Sequence, residues 1–113
     1  MKRIEAFIQS DRLQVVLAAM KKIGVSGITV IAARGQGEGL RPLVEVSRGT
    51  MRQVAEFNSI ETIVTIVDEQ KVQEVINAIA NAASTGSKGD GKIFVSPVDE
   101  AMDINTKKKA SAT

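Results

Sequence analysis

Thr85-Gly86-Ser87-Lys88-Gly89-Asp90-Gly91-Lys92-Ile93-Phe94-Val95 is the stretch whose reading decides the fold. Its first seven residues hold three glycines, two hydroxyls and an aspartate, a composition that ends a regular element and builds a tight polar turn. Lys92-Ile93-Phe94-Val95-Ser96 then reads as a strand, stopped by Pro97. Upstream, Val72, Val75, Ile76, Ile79, Ala80 and Ala83 recur at helical spacing behind Asp68, a capping residue. Thr62-Ile63-Val64-Thr65-Ile66-Val67, dense in β-branched residues, reads as another strand. The glycine-rich stretch is therefore the second joint of a β-α-β unit.

The first half of the chain carries the same punctuation. Ile4, Ala6 and Ile8 alternate with Arg3, Glu5 and Phe7, as in a strand. Ser10 and Asp11 offer helix caps, and Leu13, Val16, Leu17, Met20 and Ile23 follow at helical spacing. Lys21 and Lys22 suit the last turn, and Gly24 is a natural stop. A turn at Ser26-Gly27 leads into Ile28-Thr29-Val30-Ile31-Ala32, a second β-rich run.

Two β-α-β units predict an α+β ferredoxin-like domain over 1–113, with a four-stranded antiparallel sheet and both helices on one face. The strands also offer apolar groups to the other face: Phe7, Ile63 or Val64, and Phe94 or Val95. A sheet covered on one side does not leave such a face in water, so association with other copies is expected. Between the halves, from about 35 to 57, lies an irregular segment with Gly35, Gly37, Gly39, Pro42 and Gly49. Connections this long in compact domains serve a purpose. Its apolar residues Leu40, Leu43, Val44, Val46 and Met51 fit docking on a partner. The segment after Val98 is weakly patterned, and about 106–113 is expected to be a disordered tail.

Composition narrows the chemistry. The chain has 113 residues, with 15 basic against 13 acidic side chains, a balance unlike that of nucleic-acid binders. It has no Cys and no His, which excludes disulfides, thiolate or imidazole metal sites, a Ser-His triad and a His phosphocarrier. No metal cofactor is expected. The stretch Ile4 to Ile8 contains Glu5 and is too short for a signal core, and no apolar run reaches membrane-spanning length. A cytoplasmic protein without membrane insertion is the default expectation.

Within this layout, Thr85 to Val95 resembles the C-terminal signature of the PII signal-transduction proteins. The opening Met1-Lys2-Arg3-Ile4-Glu5-Ala6-Phe7-Ile8 is similar to that family's first strand, and Gly24-Val25-Ser26-Gly27-Ile28-Thr29-Val30 to its helix-to-strand turn. Arg34-Gly35-Gln36-Gly37 sits where the family begins its T-loop, here about 36–57, and Arg48-Gly49 resembles a pair near the loop tip. The resemblance implies a homotrimer, an adenine nucleotide (ATP, ADP or AMP) in the clefts between subunits, and a T-loop that docks on an ammonium channel or on an enzyme of nitrogen or carbon metabolism. It implies a nucleotide site from Gly27, Thr29, Gly35, Gln36, Gly37, Glu38 and Ile66 together with Lys88, Gly89, Asp90, Gly91 and Lys92. It places partner contacts at Leu40, Leu43, Val46, Arg48, Met51 and Arg52.

The residues themselves allow two readings of the glycine-rich turn. Gly89 and Gly91 can bring backbone N–H groups close to anionic oxygen while Lys92 adds a point charge. A tight helix-to-strand turn with a solvated lysine is the alternative.

The chain also departs from the family pattern. The Arg-x-Arg pair usual in the last strand is replaced by Asp103-Ile104-Asn105, and the Arg-Gln-Lys stretch of the T-loop by Glu38-Gly39-Leu40. A lysine that assists 2-oxoglutarate binding in the family aligns with Ile60. These changes argue against the usual joint sensing of ATP and 2-oxoglutarate. Arg52 stands near the tyrosine that some members modify, and the chain has no tyrosine at all.

Catalysis is not expected: Glu5, Glu38, Glu61 and Asp90 show no paired spacing, and the nucleophilic His of a nucleoside diphosphate kinase is missing. A nucleotide-independent scaffold on the same trimer and a ferredoxin-like RNA-binding module are the alternatives. Three Phe with no Tyr or Trp weigh against the latter.

Overall fold

A computed structural model describes residues 1–36, 43–46, 51–54 and 58–112, with the backbone alone at 43–46, 51–54 and 58. The elements are β1 (Lys2–Gln9), α1 (Leu13–Lys22), β2 (Ile28–Gly35), β3 (Leu43–Val46), β4 (Met51–Val54), β5 (Asn58–Val67), α2 (Val72–Ala83) and β6 (Gly91–Pro97). The main sheet runs β2-β5-β1-β6, and every neighbouring pair is antiparallel. This is the double β-α-β of the ferredoxin-like fold, as the sequence predicts.

Alternation along β1 divides the sheet. Ile4, Ala6 and Ile8 are buried, and the register places Ile63 and Thr65 of β5 beside them. They meet Val16 and Met20 of α1 and Val75, Ile79 and Ala83 of α2, all buried in one core. These helical positions follow the three-to-four spacing that put them on one face. Truncation of a core residue such as Ile79 to Ala costs about 2–5 kcal/mol.

The helix ends differ in construction. Gly24, with φ of +88°, follows α1; its N–H reaches Lys21 O, and Val25 N–H reaches Met20 O, both at 3.0 Å. This paired closure is a Schellman motif, and Val25 is buried beside it. Ser10 and Asp11 were expected to cap α1, and Asp68 to cap α2. Each helix is instead entered through a 3-10 turn, Ser10–Arg12 and Glu69–Lys71; Asp68 does stand at the N-cap of the second, but no side chain makes a cap bond at either entry. The 3-10 turn tightens the chain enough to satisfy its first groups through backbone bonds.

Two further differences concern the segments read as irregular. The long connection contains a hairpin, β3 paired with β4 through Leu43↔Val54, Val44↔Gln53, Glu45↔Arg52 and Val46↔Met51. β2 and β5 also run further than expected, to Gly35 and from Asn58, because their ends pair with each other. Near the end of the chain, where the sequence suggests a disordered tail over about 106–113, Lys109 forms an antiparallel bridge with Met102. Asp103 N–H donates to Lys108 O and Ala110 N–H to Ala101 O, at 3.0 and 2.8 Å. Lys107 turns the chain there with φ of 60°.

Candidate ligand site at the glycine turns

The face of the sheet away from the helices mixes apolar and polar side chains. The register brings Phe7, Thr62, Ile31 and Lys92 into one row and Glu5, Val64, Thr29 and Phe94 into the next. Of the paired alternatives left open by the sequence, Val64 and Phe94 belong to this face, while Ile63 and Val95 point to the helices. Phe7 and Phe94 pack edge to face, with ring centroids 5.9 Å apart. Phe94 is nevertheless 49% exposed and Ile31 51%. Among the described residues, no helix covers these side chains.

At one end of this sheet stands the turn between α2 and β6. Asp90 organises it. Its carboxylate accepts the Thr85 N–H at 2.7 Å, the Gly86 N–H at 3.1 Å, the Thr85 hydroxyl, and the Ser87 hydroxyl at 3.4 Å. These bonds, led by the one from the Thr85 side chain, hold its carboxyl below the usual aspartate value. Ser87 closes the interior: its Oγ accepts Gly89 N–H and its carbonyl accepts Asp90 N–H. The Ser87 N–H also bears on the Asp90 carboxylate, whereas none of the described hydrogen bonds engages the N–H group of Lys88. The side chain of Lys88 is exposed.

Gly91 could be no other residue. Its φ is +118°, and an added Cβ would lie 1.8 Å from the carbonyl oxygen of Phe7. The turn thus drops onto β1 without a side chain between, and Lys92 emerges opposite Phe7 on the face away from the helices. Beneath the turn lies an open cleft of about 360 Å³ bounded by Ile8, Ile79, Ala83, Ile93 and Lys92.

The other expected residues lie along β2, the opposite edge, and on β5 beside it, with Gly27 and Ile66 toward one end and Gly35 at the other. Gly27 begins the approach to β2, and its carbonyl accepts the hydroxyl of buried Thr65 at 2.7 Å. Thr29 is exposed on the face away from the helices beside Val64, and Ile66 lies on the same face across from Arg3. Gly35 ends β2 against Ile60, whose Cδ1 would be 2.9 Å from an added Cβ. Gln36 follows, exposed. Gly37, Glu38, Leu40 and Arg48 lie outside the described residues, as do the side chains of Leu43, Val46, Met51 and Arg52.

Gly35 and Gly91 stand at the same end of the sheet but on its two outer strands, separated by β5 and β1. Three strand spacings put them at least about 14 Å apart within one copy. One chain alone therefore does not close both clusters around one phosphate. A contact that sequence reading missed is the Gln9 side-chain amide, which donates to the Gly89 carbonyl. Nothing in the spacing of Gln9 and Gly89 announces it, since the bond depends on the β1–β6 register. Among the described residues, no three carboxylates converge as a metal site, and no helix is long and apolar enough to cross a membrane.

Comparison with known proteins agrees with this architecture. Residues 1–108 match the family model described as nitrogen regulatory protein P-II. The chain is similar to the nitrogen regulatory protein P-II of Azospirillum brasilense, 40% identical over 109 residues that cover 96% of both chains. That of Rhizobium meliloti is 42% identical over 106 residues, covering 94% of this chain and 93% of the relative. That of Synechocystis sp. is 40% identical over 109 residues, again 96% of both.

Proposed function

Because the chain belongs to the nitrogen regulatory protein P-II family, whose members are signalling regulators and not enzymes, we propose that it assembles as a homotrimer and binds an adenine nucleotide at the seams between subunits. In this reading the β2 edge of one copy meets the β6 edge of the next. The glycine turn then supplies the N–H group of Lys88, with the side chains of Lys88 and Lys92, to the phosphates. Gly27, Thr29 and Ile66 receive the base, and Gly35 to Glu38 close the pocket from the neighbouring side. Asp90 acts within the turn, because a carboxylate engaged with three residues of its own loop repels a phosphate and does not bind one.

The observation that carries this reading is the placement of two glycine clusters on opposite edges of a sheet whose outer strands expose Ile31 and Phe94 on the face away from the helices. An inter-subunit seam satisfies both at once. The segment at about 36–57 then engages a target, an ammonium channel or a metabolic enzyme of nitrogen or carbon metabolism, from the cytoplasm.

ADP or AMP fits better than ATP with 2-oxoglutarate. Asp103 replaces a cation of the family pattern, and its backbone is tied into its own turn with Lys107 and Lys108. The same observation supports the scaffold alternative, in which the trimer persists without a nucleotide.

Calorimetry of the assembled protein with ATP, ADP, AMP and 2-oxoglutarate tests these readings. The expected result is heat and a raised Tm with an adenine nucleotide, weakened at least about tenfold by Lys92→Ala. A trimer that binds none of them is the scaffold. A monomer that binds none of them overturns the seam itself.

A further inference from the structure

The end of β1 lies between the two glycine clusters and touches structures on both sides. Gln9 pairs with Ile60 of β5, and its side-chain amide donates to the carbonyl of Gly89 in the glycine turn. The next residue, Ser10, places its hydroxyl 3.2 Å from that of Ser59 near the start of β5. Ser59 in turn is the register partner of Arg34, beside the Gly35↔Asn58 pair that ends β2. A path of contacts therefore runs Gly89–Gln9–Ser10–Ser59 and reaches Arg34 as the register partner of Ser59, across the end of the sheet from one outer strand to the other.

We propose that Gln9 and Ser10 are positioning residues that couple the glycine turn to the root of the 36–57 segment. Gly89 follows the Asp90-stapled part of the turn, where two neighbouring residues already spend their N–H groups internally. Its carbonyl is fixed from outside by Gln9. A shift of the turn moves Gln9, and Gln9 and Ser10 are consecutive at the entry to a 3-10 turn, where backbone φ and ψ are tightly constrained. Displacement of one therefore changes the hydroxyl contact made by the other. The physical content is a coupling free energy between two segments that share no direct contact. It exists in the free protein, so it rests on the proposed nucleotide site only for its use, not for its existence.

Hydrogen exchange of the assembled, ligand-free protein tests it. Gln9→Leu keeps the size of the side chain and removes the donor. The expected result is exchange roughly threefold to tenfold faster at the hydrogen-bonded amides within 86–89 and also, by a smaller factor, at those of 59–61. Ser59→Ala reads the path from its far end, and is expected to speed exchange at 86–89, which it does not touch. In the double variant the two effects at 86–89 combine to less than the product of the single effects. A merely local role loosens 86–89 in Gln9→Leu and leaves 59–61 unchanged, and Ser59→Ala then leaves 86–89 unchanged; that pattern overturns the proposal. Should Gln9→Leu fail to fold, Ser59→Ala alone decides the matter by the same criterion. Loss of nucleotide binding in the calorimetric experiment leaves this result untouched, so the two readings fail separately.

Discussion

Arg12 and Lys71 perform the same act on opposite helices. Each is the last residue of the 3-10 turn that enters its own helix, and each donates to a backbone carbonyl at the C-terminal end of the other. Arg12 reaches Ala82 O through Nε and Nη2 at 3.2 and 2.6 Å; Lys71 Nζ reaches Ile23 O at 2.6 Å. A cation at a helix C-terminus also meets the negative end of the helix dipole. The two β-α-β halves are thereby clasped to each other by the same device used twice.

Removing either clasp should weaken the whole domain. Arg12→Ala and Lys71→Met are each expected to lower stability by about 1–2 kcal/mol, since each leaves a partly buried carbonyl without its charged donor. Urea unfolding of the two variants measures this through the midpoint. Unchanged midpoints in both would show that water replaces the donors without loss.

The glycines of the turn are predicted to differ sharply. Gly91→Ala sets a methyl against the Phe7 carbonyl at an impossible distance, in a left-handed conformation, and should abolish folding or cost more than about 3 kcal/mol. Gly86 also has positive φ, at +86°, but an added Cβ there meets nothing within 4 Å. Gly86→Ala should therefore cost only about 1 kcal/mol. Thermal unfolding of the pair separates backbone strain from steric collision.

Asp90 should give the turn a dependence on acid. Its carboxyl is held below the usual value in the fold, so its contribution to stability is fully present above the unfolded value and disappears as the pH falls through the folded one. Comparing the protein with Asp90→Asn from about pH 7 down to about pH 2 should show a difference that closes at the acid end. A difference that persists unchanged below both values would mean that the asparagine amide disturbs the turn by geometry and not by lost charge.

The uncovered sheet face predicts the oligomeric state. Phe94→Glu and Ile31→Glu place a carboxylate on the sheet face opposite the helices, and both should convert a trimer to monomers in light scattering after size exclusion. Val15→Glu, on α1 and 46% exposed, should leave the assembly intact. Dissociation by Val15→Glu alone would relocate the interface to the helical side.

The sequence disclosed the main fold through periodicity. Ile4, Ala6 and Ile8 needed only their alternation, and Val75, Ile79 and Ala83 only their spacing, because burial of one face imposes those patterns. Strand ends were less visible: Arg34, Gly35, Asn58 and Ser59 are not strand formers, and they pair because β2 and β5 already run side by side. The hairpin of Leu43–Val46 with Met51–Val54 was hidden by the glycines around it. Of the site, Gly89, Gly91 and Lys92 could be picked out from composition and resemblance, whereas the inward role of Asp90 and the bond from Gln9 depend on contacts between residues brought together by folding. The cross-helix donors Arg12 and Lys71 carry no signal in the sequence for the same reason.

The separation of Gly35 and Gly91 onto opposite outer strands carries a genetic implication. If each pocket draws one wall from each of two copies, a lesion on the β2 side and a lesion on the β6 side damage different halves of the same cleft. Two inactive parents, mixed and reassembled, would then yield hybrid rings in which one cleft combines two undamaged walls while another collects both defects. Partial rescue by mixing would be the hallmark of shared pockets, and self-contained pockets could never show it.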